Sequence, residues 1–332
     1  LYAGEKNRRP RHSAGGIGTF PGLICRAHSG LSRLNPLFWR VEKDAKGGMT
    51  RRQFLTLSGV AAAGGVLAYS VEYDPHDLEI THRTIKLARL SPELDGLRIA
   101  QMSDFHYEQY TQPSFIREVV AQVNRLQPDV VLLTGDYVSE GPMPMSFGAK
   151  SSYGCAEILG GIECPRRWCV LGNHDTMVDP TMVTHALELH GLPVLANKYV
   201  PFERGGARLW IAGVKDFGLS DPDLDRAAPK GLQTANEPVI LMAHEPDYAD
   251  HVVRHGGVDL MLAGHTHGGQ VRLPFVGAIY TPPLGREYVE GHFYLKNGLQ
   301  LYVNRGIGTV GVPFRVLCRP ELTMITLKST QA

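Results

Sequence analysis

Thiol chemistry has little to draw on in this chain. Its five cysteines, Cys25, Cys155, Cys164, Cys169 and Cys318, fall in no spacing that makes a zinc pattern. Outside the cytoplasm the last four could pair as disulfides, but small buried thiols fit the same positions. Net charge is nearly absent too, at +1, and that figure hides an asymmetry. Residues 1–48 carry a balance of +6, which leaves −5 on the remainder. A slightly acidic body argues against a general nucleic-acid binder. Long apolar runs are missing: Leu55–Ala68 stops after fourteen residues, where a membrane span needs about 20. No internal repeat marks a solenoid, and no composition shift after residue 74 marks a second domain. What remains, 332 residues with 43% apolar and 20% charged, suits one large α/β domain plus processing segments.

Residues 1–48 start without Met, are rich in Arg, Gly, Pro and Ser, and show no sustained apolar period. That predicts a disordered or over-extended leader upstream of Met49. Residues 49–70 resemble a twin-arginine export signal. Arg51-Arg52 stands directly before the weakly apolar Leu55–Ala68, and Val66-Leu67-Ala68 offers small residues for cleavage. The same segment left uncleaved would be a membrane anchor. The expectation is an exported protein, periplasmic or at the cell envelope, with the twin-arginine machinery as a partner.

Between residues 97 and 267 the chain repeats one pattern five times: an apolar run, then a metal-ligand residue type. Leu97–Met102 leads to Asp104-Phe105-His106. Val130–Leu133 leads to Gly135-Asp136. Trp168–Leu171 leads to Gly172-Asn173-His174-Asp175. Val239–Ala243 leads to His244, and Leu260–Ala263 leads to Gly264-His265-Thr266-His267. Each run reads as a buried strand, and in open α/β sheets ligands gather beyond the carboxyl ends of strands. Oxygen and imidazole donors without thiolate suit Zn, Mn or Fe. The donors are too many for one ion, and two ions sharing a carboxylate would use them.

The ordered series Asp-x-His, Gly-Asp, Gly-Asn-His-Asp, His, Gly-His-Thr-His resembles the calcineurin-like metallophosphoesterase superfamily, directly over residues 97–267 and by extension to about 328. The resemblance implies a four-layer sandwich of two mixed β-sheets flanked by helices, in one domain over 74–328. It implies two divalent ions, one on Asp104, His106 and His267, the other on Asn173, His244 and His265, with Asp136 bridging them. Such ions lower the pKa of a shared water, so that hydroxide exists near neutral pH. It implies His174 facing the substrate, as general acid or as hydrogen-bond donor to the phosphoryl group, with Asp175 orienting its ring. The tail Asn304–Thr309 and Pro313-Phe314-Arg315 resembles the exported branch of the superfamily. There Arg305 and Arg315 are candidates to clamp a phosphate, and equally candidates for surface ion pairs.

The rest of the body reads in order. Ile80 to Lys86 suggests an edge strand, and Pro113–Leu126 a helix with Ile116, Val119, Val120 and Val123 on one face. Ser139–Ser152 reads as a loop, a substrate lid or a plain connector, with a helix from Tyr153 to Leu159. Pro180–His190 reads as a helix, Val194–Val214 as a hairpin turning at Gly205-Gly206, Tyr248–His255 as a helix, and 277–328 as β structure, Tyr280 included.

The function expected is hydrolysis of phosphate mono- or diesters of a small-molecule or lipid substrate at the cell envelope. The alternative within enzymes is a pyrophosphatase acting on a UDP-linked lipid precursor, which an apolar groove beside the metals would favour. The alternative outside enzymes is a non-catalytic metal-binding envelope protein, which would lack a ligand, and none is missing. In cells, a chain begun at Met49 should be exported, and Arg51→Lys with Arg52→Lys should block it. Equal export of both in a fractionation would remove the twin-arginine reading.

Overall fold

In a computed structural model, residues 49–330 are described apart from 73, 108–109, 141–144 and 235–236. The leader expected over 1–48 lies outside the described residues. The strands are β1 (Glu79–Leu87), β2 (Arg98–Met102), β3 (Val130–Thr134), β4 (Arg167–Val170), β5 (Lys198–Arg204), β6 (Ala207–Gly213), β7 (Val239–Met242), β8 (Leu260–Ala263), β9 (Arg272–Leu273), β10 (Gly277–Ala278), β11 (Gly291–Tyr294), β12 (Gln300–Val303) and β13 (Glu321–Ser329). The helices are α1 (Arg51–Glu72), α2 (Pro113–Leu126), α3 (Met145–Leu159), α4 (Asn173–Val178), α5 (Pro180–Leu189), α6 (Leu224–Ala227) and α7 (Ala249–His255).

Two mixed sheets carry the body. One has the order β1-β13-β2-β3-β4, the other β11-β12-β8-β7-β6-β5, and β9 and β10 form a separate hairpin. In the first sheet β2, β3 and β4 are parallel, as are β6, β7 and β8 in the second. Ile99, Leu132, Ile240, Leu260 and Ile325 fill the space between the sheets. Each such side chain contributes roughly 1.5–3 kcal/mol by leaving water. Outside the first sheet, Ile116 and Val119 of α2, Leu159 of α3 and Val183 of α5 cover Ala100, Val131 and Leu133. Outside the second, Leu224 of α6 and Val252 of α7 cover Leu241 and Met261. The layers run helix, sheet, sheet, helix, as expected.

Several local expectations match. Pro113 opens α2 at its first turn, and the chain turns out of it at Gln127 in a left-handed cap. Gly205 and Gly206, at φ of 62° and 83°, make the two-residue turn between β5 and β6. β1 is an edge strand, paired with β13. Two expectations need correction. Helix α3 begins at Met145 rather than Tyr153, so most of the expected 139–152 loop is helix. Gly148, part of that expected loop, and Gly154 are close-packing positions in this helix. A Cβ on Gly148 would lie 3.0 Å from Val178, and one on Gly154 2.8 Å from the Tyr107 hydroxyl. Tyr280 lies outside any strand, in a bend.

The chain divides by contacts into residues 1–54 and 55–332. Helix α1 carries the Arg51-Arg52 pair in its first turn, both exposed. Among the described residues, no helix is long and apolar enough to cross a membrane.

Candidate metal centre

Five parallel strands from both sheets, β2, β3, β4, β7 and β8, end at one place, and each is followed within three residues by a predicted ligand. Strand geometry would carry these side chains past each other, so the backbone must turn sharply. It does so in the left-handed region at Asp104 (φ 55°), His106 (44°), Asp136 (57°), His265 (71°) and His267 (51°). None is glycine, and each such residue costs about 1–3 kcal/mol that the surrounding fold must supply. Gly172 has the opposite task. A Cβ there would run into the Asp136 carboxylate, so only glycine lets the β4 loop close on the β3 loop.

The structure brings predicted ligands together in overlapping groups. Ligand atoms of Asp104, His106 and His267 lie within 4.8 Å of one another, as do those of Asp136, His244 and His265. His267 Nε2 is 3.3 Å from Asp104 Oδ1, and the Nε2 atoms of His106 and His267 are 3.0 Å apart. Asp136 Oδ2 lies 3.0 Å from His244 Nε2 and 3.7 Å from His106 Nε2, between the two sets. All of these side chains are buried.

The second nitrogen of several rings is already used, which settles how the first one points. His244 Nδ1 meets the Thr134 carbonyl at 2.7 Å, His265 Nε2 meets the Pro283 carbonyl at 2.8 Å, and His106 Nδ1 meets Ser139 Oγ at 2.6 Å. A carbonyl accepts only, so His244 is left with Nε2 and His265 with Nδ1 to present to a cation. Asn173 Oδ1 is buried with no hydrogen-bond partner among the described residues. A carbonyl oxygen in that condition costs free energy unless a cation or donor meets it. Hard and borderline donors, an orphaned amide oxygen and a carboxylate between two clusters fit a pair of divalent ions.

Electrostatics is consistent with metal uptake linked to proton release. Burial lowers the His106 imidazole, reinforced by His267 and His174, and lowers His265 to about 4. Both rings are therefore neutral, the state a ligand needs. Burial also acts to lower His244, but Asp136 outweighs it and holds that ring protonated. That proton must leave before Nε2 binds a cation. Asp136 behaves in kind: burial alone would raise its carboxyl, and the rings of His244 and His174 hold it well below the usual range.

Two expectations of role change, those of Asp175 and Arg315, and for Arg305 the ion-pair alternative holds. Asp175 does not orient His174. Its carboxylate accepts the backbone N–H of Asp136 and Tyr137 at 2.8 Å, of Gly172 at 3.0 Å and of Val138 at 3.3 Å. It is a positioning residue that ties the β3 loop to the β4 loop. Burial and the Asp136 charge push its carboxyl up to about 8; four donors pull the other way, and each of those bonds is served best by the ionised form. Arg315 is fully buried, and its guanidinium donates to the carbonyls of Cys318, Arg305, Gly306 and Gly308. Arg305 donates to Glu79 at 2.8 Å and to the buried Glu321 at 3.3 Å. Both arginines hold the 305–318 loop together, and these bonds take up the groups that would clamp a phosphate.

The sequence reading missed Ser139 and Gln270. Ser139 fixes the His106 ring. Gln270 joins two loops, donating to the carbonyls of Val310 and Val312 and accepting the Val310 N–H. A hydroxyl three residues after Asp136 is too common a pattern to single out. Glu245, next to His244, is buried and lines the cavity, with Oε2 accepting the Phe217 N–H.

That cavity, about 750 Å³, has Asp136, Asn173, His174, His265 and His267 on its floor. Its walls are apolar, from Met177, Leu219, Val271, Ile279, Val310 and Phe314 among others.

The chain is similar to several known proteins. Residues 97–269 match the family model described as calcineurin-like phosphoesterase. The metallophosphoesterase YkuE of Bacillus subtilis is 35% identical, over 85% of this chain and 99% of that protein. The phosphodiesterase YaeI of Escherichia coli is 32% identical, over 84% and 99%. The solved calcineurin-like phosphoesterase YfkN of Bacillus subtilis has 12% identity and a TM-score of 0.42, over 64% of this chain and 82% of that one.

Asp136 and Asp175 should separate by metal analysis of protein purified without chelator. Asp136→Asn is expected to lose both ions or nearly so. Asp175→Asn should keep them with affinity reduced about 10–100-fold, the range for a residue that supports a ligand loop. A full pair of ions on Asp136→Asn would refute the bridging role.

Proposed function

The chain belongs to the calcineurin-like phosphoesterase family, and from that premise we propose that it hydrolyses phosphate mono- or diesters at the cell envelope. The observation that carries the reading is the pair of donor clusters meeting at Asp136 on the floor of an open cavity. The name of the YaeI relative supports the diester side. The Arg51-Arg52 pair in the first turn of α1, ahead of the weakly apolar Leu55–Ala68, supports the envelope.

Divalent ions held there supply Lewis acidity and acidify a water. The chain's own residues do the remainder. Asp104 and Asp136 supply negative charge that lets two cations sit close together. The rings of His106, His244 and His265, held by Ser139, Thr134 and Pro283, need little rearrangement when the site fills. Water is restricted by the apolar walls.

His174 is placed to handle the leaving group. It sits in the first turn of α4, and its backbone N–H donates to Asp136 Oδ1 at 3.0 Å. Its ring stands edge-on to His106 with centroids 4.9 Å apart, and it lines the cavity. Its Nδ1 has no hydrogen-bond partner among the described residues. An imidazole beside the phosphoryl position can give a proton to the departing oxygen or donate a hydrogen bond to the ester.

A second reading, cleavage of the pyrophosphate in a UDP-linked lipid precursor, is favoured by one observation, the apolar wall beside the metal centre.

The test is His174→Ala, assayed with two ions loaded. Metal content should stay full while turnover of alkyl esters falls about a hundredfold or more. The loss should shrink for 4-nitrophenyl esters, whose leaving groups need little protonation. A loss independent of the leaving group would assign His174 to phosphoryl binding. Loss of metal would make it a ligand, which its position within 4.8 Å of the His106 and Asp136 donor atoms also allows.

A further inference from the structure

Shortly after His267 the chain enters a small hairpin with an apolar tip. Strands β9 and β10 pair through Leu273 with Gly277 and Arg272 with Ala278. The tip between them is Pro274-Phe275-Val276, where Phe275 is held in a left-handed turn at φ 66°. Phe275 is fully exposed and Val276 is 70% exposed; Leu273, Ile279 and Tyr280 are exposed beside them. Five large apolar side chains in one short stretch have left the core.

The hairpin has not simply failed to pack. Its base is built. Arg272 N–H donates to the Val316 carbonyl and Val316 N–H to the Gln270 carbonyl. The Arg272 guanidinium donates to the Gly268 carbonyl at 2.7 Å and pairs with Glu290 at 3.0 Å. Ile279 N–H returns to the Val271 carbonyl. A braced base under an apolar tip presents that tip outward.

The apolar surface is also continuous with the site. Val271, Ile279 and Tyr280 of the hairpin, with Val310, Val312 and Phe314 of the facing loop, line the cavity whose floor is the metal centre. The hairpin that carries Phe275 at its tip therefore contributes apolar wall to the cavity that holds Asp136, His265 and His267. A small hydrophilic ester needs no such path. An ester whose charged phosphate lies on the floor, and whose apolar remainder lies along the wall, uses all of it.

Charge points the same way. Residues 268–286 and 306–319, the segments that frame the mouth, contain no Asp or Glu, although the body carries a net negative charge. Arg286 is exposed there, while the half-buried Arg272 and Arg319 are paired with Glu290 and Asp77 from outside these segments. An aromatic and aliphatic tip without carboxylates, flanked by arginine, suits a lipid interface, where a carboxylate would be repelled by anionic head groups. A tip three residues wide is small against the roughly 800 Å² per partner of a stable protein interface.

We propose that the 272–280 hairpin enters a lipid surface and that the substrate is an amphiphilic phosphate ester drawn from it, its apolar part in the cavity wall and its phosphate at the metal centre. This rests on the hydrolase reading above, and the two can fail separately. The experiment uses the full chain with Phe275→Trp, and Leu189→Trp on α5 as a control, mixed with vesicles of phosphatidylcholine and phosphatidylglycerol in equal parts. Emission of the Phe275→Trp variant should shift to the blue and be quenched by brominated lipid beyond what the native tryptophans show, and emission of the Leu189→Trp control should not. The double variant Phe275→Ser, Val276→Ser should lower the vesicle-bound fraction severalfold and leave turnover of soluble bis(4-nitrophenyl) phosphate within about twofold. A Phe275→Trp spectrum that vesicles leave unchanged, or equal vesicle binding by the double variant, overturns the proposal. So does a blue shift that follows protein concentration without lipid, which would make the tip a contact between protein molecules. Absence of soluble diester turnover in the unaltered chain would count against the hydrolase reading instead, with lipid insertion still read by the spectrum.

Discussion

A single buried carboxylate sets the spacing of this site. Asp175 gathers the backbone N–H groups of Asp136, Tyr137, Val138 and Gly172. Two loops from neighbouring strands are thereby locked at one separation, with Asp136 on one and Asn173 on the other. His174 is fixed in the same act, because its own N–H is committed to Asp136. The bonds run from main-chain N–H groups to a buried carboxyl in a water-poor interior, where their loss is expensive. The strained turns at the ligands persist only on a frame of this kind.

The frame explains what kind of chemistry the chain can support. The rings of His106, His244 and His265 are held from behind by a hydroxyl or a carbonyl, so each presents one nitrogen without first searching for it. The donors come from both sheets, and the sheets are joined by an apolar layer that does not yield easily. Small displacements at the site would have to be transmitted through that layer. The cavity above is then free to vary in its walls without disturbing its floor, which is where a preference for one ester over another would reside.

Much of this is legible in residue order alone, for a physical reason. Ligands at strand ends leave a periodic trace, an apolar run followed by an acid, an amide or an imidazole, and β2, β3, β4, β7 and β8 all leave it. The amphipathic α2 and the double glycine at 205–206 are local signals and equally plain. What stays hidden is non-local. Gly148 reads as part of a loop until Val178 is seen packed against it within α3. Asp175 looks like a partner for its neighbour His174, but its four donors lie mostly on another loop. Arg305 and Arg315 have the chemistry to grip a phosphate, and only their burial among carboxylates and carbonyls shows where that chemistry is used. The exposed hairpin tip leaves no trace, since Pro-Phe-Val reads like any short strand.

The order β1-β13-β2 has a consequence for how the chain reaches this state. The first strand of the body finds its partner in the last, along all nine residues from Glu79↔Glu321 to Leu87↔Ser329, and β13 is also the neighbour of β2. Until residue 329 has been made, the sheet that carries Asp104 lacks an inner strand and β1 has nothing to bind. Contacts that span about 240 positions close slowly, because a long loop must be ordered before they return any free energy. Strand β13 therefore completes this sheet. A ribosome can release α2 and β3 to pair early, but the metal centre cannot be framed on a nascent or shortened chain, and a clipped carboxyl terminus would be felt at a site more than two hundred residues away.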